Sequence, residues 1–119
     1  MAFIRPVWSD QRLIGDWDKE TTVPGNLPEG DRIWLESMIR AEEDYTRLME
    51  EGWKAQAARE ILPNSLKTEI VVKANIREWR HIFALRCAKS SHPQMVELMR
   101  PLLAELKSKL PVVFDDLNF

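Results

Sequence analysis

The chain has 119 residues, 45% hydrophobic and 30% charged, with 19 acidic against 17 basic side chains and a formal net charge of −2. That length suits one small domain with a modest core and excludes a self-sufficient two-domain enzyme, and the balance of apolar and charged residues excludes global disorder. No apolar run approaches the roughly 18–20 residues needed to span a bilayer.

The N-terminus, Met1-Ala2-Phe3-Ile4-Arg5-Pro6, lacks the apolar core and cleavage site of a signal peptide and the Arg/Ser-rich amphipathic pattern of a transit sequence, so a cytoplasmic location is the expectation. Cys87 is the single cysteine and has no internal disulfide partner, which agrees with a reducing compartment. Phe3, Ile4, Val7 and Trp8 read as a short extended piece. From Ser9 to about Gly30, the breakers Gly15, Pro24, Gly25, Pro28 and Gly30 predict a loop or docking arm, with Trp17 as its anchor. Residues 1–30 thus form an N-terminal extended segment and loop, and 31–119 the structured domain.

From about Asp31 the spacing Trp34, Met38, Ala41, Tyr45, Leu48 predicts an amphipathic helix that Gly52 stops. A shorter helix over 54–62 follows and ends at Pro63-Asn64. Leu66 to Ala74 alternates, with Leu66, Thr68, Ile70, Val72 and Ala74 on one face, which predicts a half-buried strand. Asn75 is placed to cap a helix from Ile76 to about Lys89 with Ile76, Trp79, Ile82 and Phe83 on its apolar side. Ser91-x-x-Gln94 matches a capping box, and Pro93 suits the first turn of a last helix reaching Leu110. That helix should bury Met95, Leu98, Met99, Leu102, Leu103 and Leu106, bend at Pro101 and end at Pro111. The expected fold class is α+β, mainly helical, with four helices and one principal β-strand. An isolated strand leaves its backbone unpaired, so it should pair with the N-terminal piece or with another copy of the chain, making a homo-oligomer.

Charge is segregated along the chain. Eight acids face three bases between Glu29 and Glu51, whereas six bases face two acids between Lys67 and Lys89. The basic half suits a compact phosphate-bearing ligand better than a long nucleic acid, because six local bases on an acidic chain offer little counterion release. At about 100° per residue, Arg77 and His81 share one helix face while Arg86 falls on the opposite side among Trp79, Ile82 and Phe83. Arg86 either meets an anion there or snorkels to solvent and the last carbonyls. Arg59, beside Ala57 and Ala58, is either a ligand contact or half of a surface ion pair with Glu60 or the acidic helix. Asn75 reads as a cap, and His81 as an ordinary half-buried histidine or an aromatic-edge contact. His81, Cys87 and His92 match no zinc spacing, so no metal is expected, and packing is the simplest reading of Cys87.

Taken in order, Tyr45-x-x-Leu48-x-x-x-Gly52, Ala58-Arg59-x-x-Leu62-Pro63, Asn75-x-Arg77-x-x-x-His81, Leu85-Arg86 and a Gln before the last helix resemble the C-terminal half of flavin-dependent thymidylate synthases. Trp79-Arg80-His81, Leu85-Arg86-Cys87 and His92-Pro93-Gln94-Met95 are similar to the bacterial and phage branch. The opening Phe3-Ile4-Arg5-Pro6-Val7-Trp8 resembles the segment that follows the signature region there. The resemblance implies a homotetramer that converts deoxyuridylate (dUMP) to thymidylate using methylenetetrahydrofolate, FAD and NADPH. It implies that Arg59 contacts dUMP, that Arg86 meets its pyrimidine as the catalytic cation, and that Asn75, Arg77 and His81 lie against FAD. The family's Arg-His-Arg signature, with the serine beyond it, occurs nowhere in the 119 residues. Two expectations follow from this: a thymidylate synthase portion inactive until a complementary N-terminal chain supplies the rest, or a non-catalytic nucleotide-binding or oligomeric interaction domain.

Overall fold

The computed structural model describes residues 1 to 119, which form two compact units, Met1–Glu69 and Ile70–Phe119. In the first, Asp10 caps a 3-10 turn at Gln11–Leu13 by accepting from the Arg12 N–H at 2.8 Å. The Arg12 guanidinium closes on the same carboxylate and holds the Asp10 carboxyl down at about 2. Trp17 anchors the breaker-rich loop, its Nε1 donating to the Leu13 carbonyl at 2.9 Å. Gly15 between them sits at φ 155°, where a side chain would be strained and would meet the Trp17 ring.

Helix α1 spans Glu29–Glu50, with Glu29 and Asp31 in the first turn, where acids complement the helix dipole. It ends in a Schellman arrangement. Gly52, at φ 86°, donates to the Met49 carbonyl and Trp53 to the Leu48 carbonyl, so two otherwise orphaned acceptors are satisfied. Leu35 and Met38 are its buried residues; Trp34, Ala41, Tyr45 and Leu48 are half-buried. Helix α2 (Ala55–Ala58) packs on α1 with Ala58 fully buried, then tightens into a 3-10 turn at Arg59–Ile61 and stops before Pro63.

The expected β-strand does not form. Leu66 makes one antiparallel bridge to Phe3, flanked by Ile4 N–H to the Ser65 carbonyl at 2.7 Å and Lys67 N–H to the Ala2 carbonyl at 2.8 Å, and pairing ends there. Ile70, Val71 and Val72 are 81%, 102% and 51% exposed. The alternation does not produce two faces here, since Ile70 and Val72 on one side and Val71 on the other are all exposed: a strand needs a neighbouring backbone to bond, and past Lys67 there is none. The architecture is mainly helical, without a sheet.

The second unit consists of α3 (Ile76–Arg86), α4 (Pro93–Lys109) and the short α5 (Pro111–Phe114). Asn75 caps α3, its Oδ1 accepting from the Glu78 N–H at 2.8 Å. Phe83, Cys87, Met99, Leu103 and Phe114 form the core, with Phe83 and Phe114 edge-to-face at 5.7 Å and 89°. The cap of α4 is His92, whose Nδ1 accepts from the Gln94 N–H; Ser91 instead turns its hydroxyl to the Leu85 carbonyl. Pro93 opens α4, and Pro101 lies inside it. Of its expected core residues Met99 and Leu103 are buried and Leu102 and Leu106 half-buried, but Met95 and Leu98 are exposed on the side of α4 away from its main partners α3 and α5. Pro111 starts α5 directly after α4 rather than a loop. No helix is long and apolar enough to cross a membrane.

Candidate functional site

Four of the five candidate residues lie on or beside α3. Asn75 is its cap, Arg77 and His81 are one turn apart on one side, and Arg86 is its last residue, nine positions and about half a turn around the axis from Arg77. All four are exposed. Trp79, Ile82, Phe83 and Cys87 occupy the opposite, core-facing arc, so burying these apolar residues is what turns Arg77 and His81 outward.

Arg86 falls beside the apolar arc in sequence, yet its side chain reaches solvent because α3 ends there. No hydrogen bond or ion pair holds the side chain of Arg77, His81 or Arg86. The contrast with Arg80, three residues after Arg77, is plain. Arg80 clasps both oxygens of Asp116 at 2.7 and 2.6 Å and also donates to the Val113 carbonyl. This pair raises the Arg80 pKa and lowers that of Asp116, each mainly through their shared hydrogen bonds. Arg80 is therefore committed to holding α5 to α3, and the cations left uncommitted on α3 are Arg77 and Arg86.

Arg59 belongs to the first unit, at the start of the 3-10 turn after α2. Its exposed side chain pairs neither with Glu60 nor with the acids of α1, so the surface ion pair open to it in the sequence does not form. Ala58, fully buried against α1, fixes the direction in which the next side chain leaves the surface.

Cavities of about 630 and 620 Å3 lie in the first unit, one along α1 near Ile61, the other among the N-terminal segment, the Trp17 loop and α1; none of the five residues lines either. No three metal-ligating side chains come together, and Cys87 is inside the core, where burial raises its thiol pKa. Pattern reading missed Arg100 and Ser91, which grip the end of α3 that carries Arg86. Arg100 donates twice to the Cys87 carbonyl at 3.1 and 3.0 Å, and the Ser91 hydroxyl donates to the Leu85 carbonyl at 2.7 Å. Spacing assigns Ser91 to a cap, and nothing in the sequence links position 100 to 87.

Comparison with known proteins gives this constellation a context. The profile of the family described as thymidylate synthase complementing protein matches residues 5–112. A flavin-dependent thymidylate synthase of Corynebacterium aurimucosum is 37% identical over 84 residues, 71% of this chain and 33% of that protein. Enzymes of the same name from Geobacter sulfurreducens and Mycobacterium marinum are 36% and 30% identical, over 79% and 89% of this chain and 42% and 50% of their own lengths. The chain thus spans about a third to a half of the relatives it matches. No solved structure matches it significantly. With the match running through both units and over all five candidate residues, the chain belongs to the flavin-dependent thymidylate synthase family.

Proposed function

We propose that this chain supplies one portion of a flavin-dependent thymidylate synthase site, binding dUMP through Arg59 and Arg86 and FAD through Asn75, Arg77 and His81, and that it has no turnover until the remaining portion is supplied. The observation that carries the reading is the pair of uncommitted guanidinium groups, Arg77 and Arg86, on opposite sides of one helix in a chain of this family. A nucleotide and a flavin dinucleotide are both anions with planar rings. Arginine forks and an amide suit them: the Asn75 oxygen is spent on the cap, which leaves its amide nitrogen to donate.

In such an assembly FAD supplies the transfer of reducing equivalents from NADPH. The chain's own residues bind, orient and stabilise charge. Arg59 holds the nucleotide. Arg86, placed beside the pyrimidine, would favour the ring with negative charge developing at N3. Asn75, Arg77 and His81 hold the flavin. Exposure of all five residues supports a site that closes only when other chains cover it, in keeping with a homo-oligomer or a complementary N-terminal chain.

The test is co-expression with the N-terminal portion of the Geobacter sulfurreducens enzyme. Flavin retention and conversion of dUMP to thymidylate are expected for the pair, and neither for the 119-residue chain alone, because affinity assembled from several contacts falls steeply when some are absent. The isolated chain purifying yellow with stoichiometric flavin, or a flavin-free, inactive pair, overturns the reading.

A further inference from the structure

Arg86 is the last residue of α3, and a helix end is where backbone order is lost first, because the final carbonyls have no partner inside the helix. A side chain that must meet a ligand from such a position needs its backbone held by something else. Here the two carbonyls flanking Arg86 are both gripped from outside the helix. On one side, the Ser91 hydroxyl donates to the Leu85 carbonyl at 2.7 Å. On the other, Nε and Nη2 of Arg100, a half-buried residue of α4, both donate to the Cys87 carbonyl at 3.1 and 3.0 Å. Cys87 itself is fully buried among Phe83, Met99, Leu103 and Phe114, so its side chain is pinned in the core while its carbonyl is pinned by a guanidinium. A cation here also complements the negative end of the helix dipole. The side chain of Arg86 has no tether of its own, so its aim is set by the backbone between these two grips.

We infer that Arg100, assisted by Ser91, is the positioning residue for Arg86, clamping the end of α3 so that the Arg86 guanidinium is presented to its ligand from a fixed point. This deepens the dUMP role proposed for Arg86 and rests on it. Both bonds are local to the second unit, so they are present in the chain as it stands.

The experiment is 15N relaxation on the 119-residue chain, backbone and arginine Nε–H, with the unfolding midpoint recorded for each variant, and dUMP titrated to millimolar concentration into the chain co-expressed with the N-terminal portion. In Arg100→Leu the amides of Arg86 and Cys87 should gain mobility while that of Phe83 does not. The dUMP concentration needed to shift the Arg86 Nε–H signal should rise roughly three- to tenfold, below the ~100-fold that a 1 Å misplacement can cost a reacting group. Arg100→Lys, which keeps one donor for the same carbonyl, should restore part of both. Should Arg100→Leu fail to fold, Ser91→Ala removes the other grip without touching α4 and should loosen Leu85 and Arg86 by a smaller amount. Unchanged Arg86 mobility in folded variants overturns the clamp. So does a dUMP loss from Arg100→Leu that, read from backbone amide shifts, is just as large in an Arg86→Lys background, because Arg100 would then act on the ligand by itself. An Arg86 signal that ignores dUMP even in the chain co-expressed with the N-terminal portion sinks the nucleotide role instead, and the mobility data still judge the clamp.

Discussion

At the scale of single residues, the informative contrast is between arginines that have partners and arginines that do not. Arg12, Arg80 and Arg100 are each spent on a carboxylate or a carbonyl within their own unit, whereas Arg59, Arg77 and Arg86 end in solvent. An exposed guanidinium carries no functional meaning alone, so Arg86 needs an experiment on which its two readings diverge. If it only keeps its charge in water, Arg86→Lys is neutral, since lysine does the same. If it meets a pyrimidine edge in a closed assembly, lysine loses the planar fork with its paired donors, and dUMP binding should weaken by about 1.5–3 kcal/mol. We expect the loss, measured as dUMP affinity and methylation rate in the co-expressed pair at matched folding stability. Equal affinity and rate would remove the nucleotide role from Arg86 and leave that of Arg59 resting on sequence position.

Between elements, the joint most open to test is the clasp of Arg80 on Asp116, which ties the turn after α5 back to α3 beside the edge-to-face rings of Phe83 and Phe114. The Arg80 hydrogen bonds hold the Asp116 carboxyl below its ordinary value, so the folded chain releases this proton more readily than the unfolded chain. Its contribution to stability is therefore complete above the ordinary carboxylate range, near 3.8 for Asp, and fades as the pH falls through that range toward the lowered folded value. Urea unfolding at neutral pH should find Asp116→Asn less stable than wild type, with the gap narrowing in acid as the wild-type carboxylate is protonated. The effect is modest because the pair is partly exposed and screened by water. A gap that stays constant from neutral pH to below the carboxylate range would show that the clasp contributes nothing through its charge.

For the molecule as a whole, several large apolar side chains are left uncovered. Ile70, Val71, Leu98 and Val112 are all more than 60% exposed, and residues 68–74 make no backbone hydrogen bonds. Such surface invites association, because burying it is favourable at roughly 25 cal/mol per Å2. A homo-oligomer is accordingly expected at micromolar concentration, read by light scattering, and Val71→Lys should shift it toward the monomer by placing a charge on the most exposed of these side chains. A compact wild-type monomer across that range would count against it.

Local chemistry was legible in the sequence wherever a residue's role depends on its near neighbours. Gly52 stops α1, Asn75 caps α3, Pro63 ends the second helical stretch, Trp17 anchors the loop, and the 3.6-residue periodicity sets Arg77 and His81 on one side of α3. The ordered motifs, which carry family membership, are likewise a property of the chain alone. What failed, or could not be read, depends on distant segments. The alternation from Leu66 to Ala74 is a local pattern, but a strand is a pairing of two backbones, and the chain provides one bridge where a ladder was expected. Ser91 had the spacing of a cap and went to the Leu85 carbonyl, while His92 took its place. Met95 and Leu98 had the spacing of core residues and found no element to cover them. The grip of Arg100 on Cys87 and of Arg80 on Asp116 spans 13 and 36 positions, and only the packing of α3, α4 and α5 brings those atoms within bonding reach.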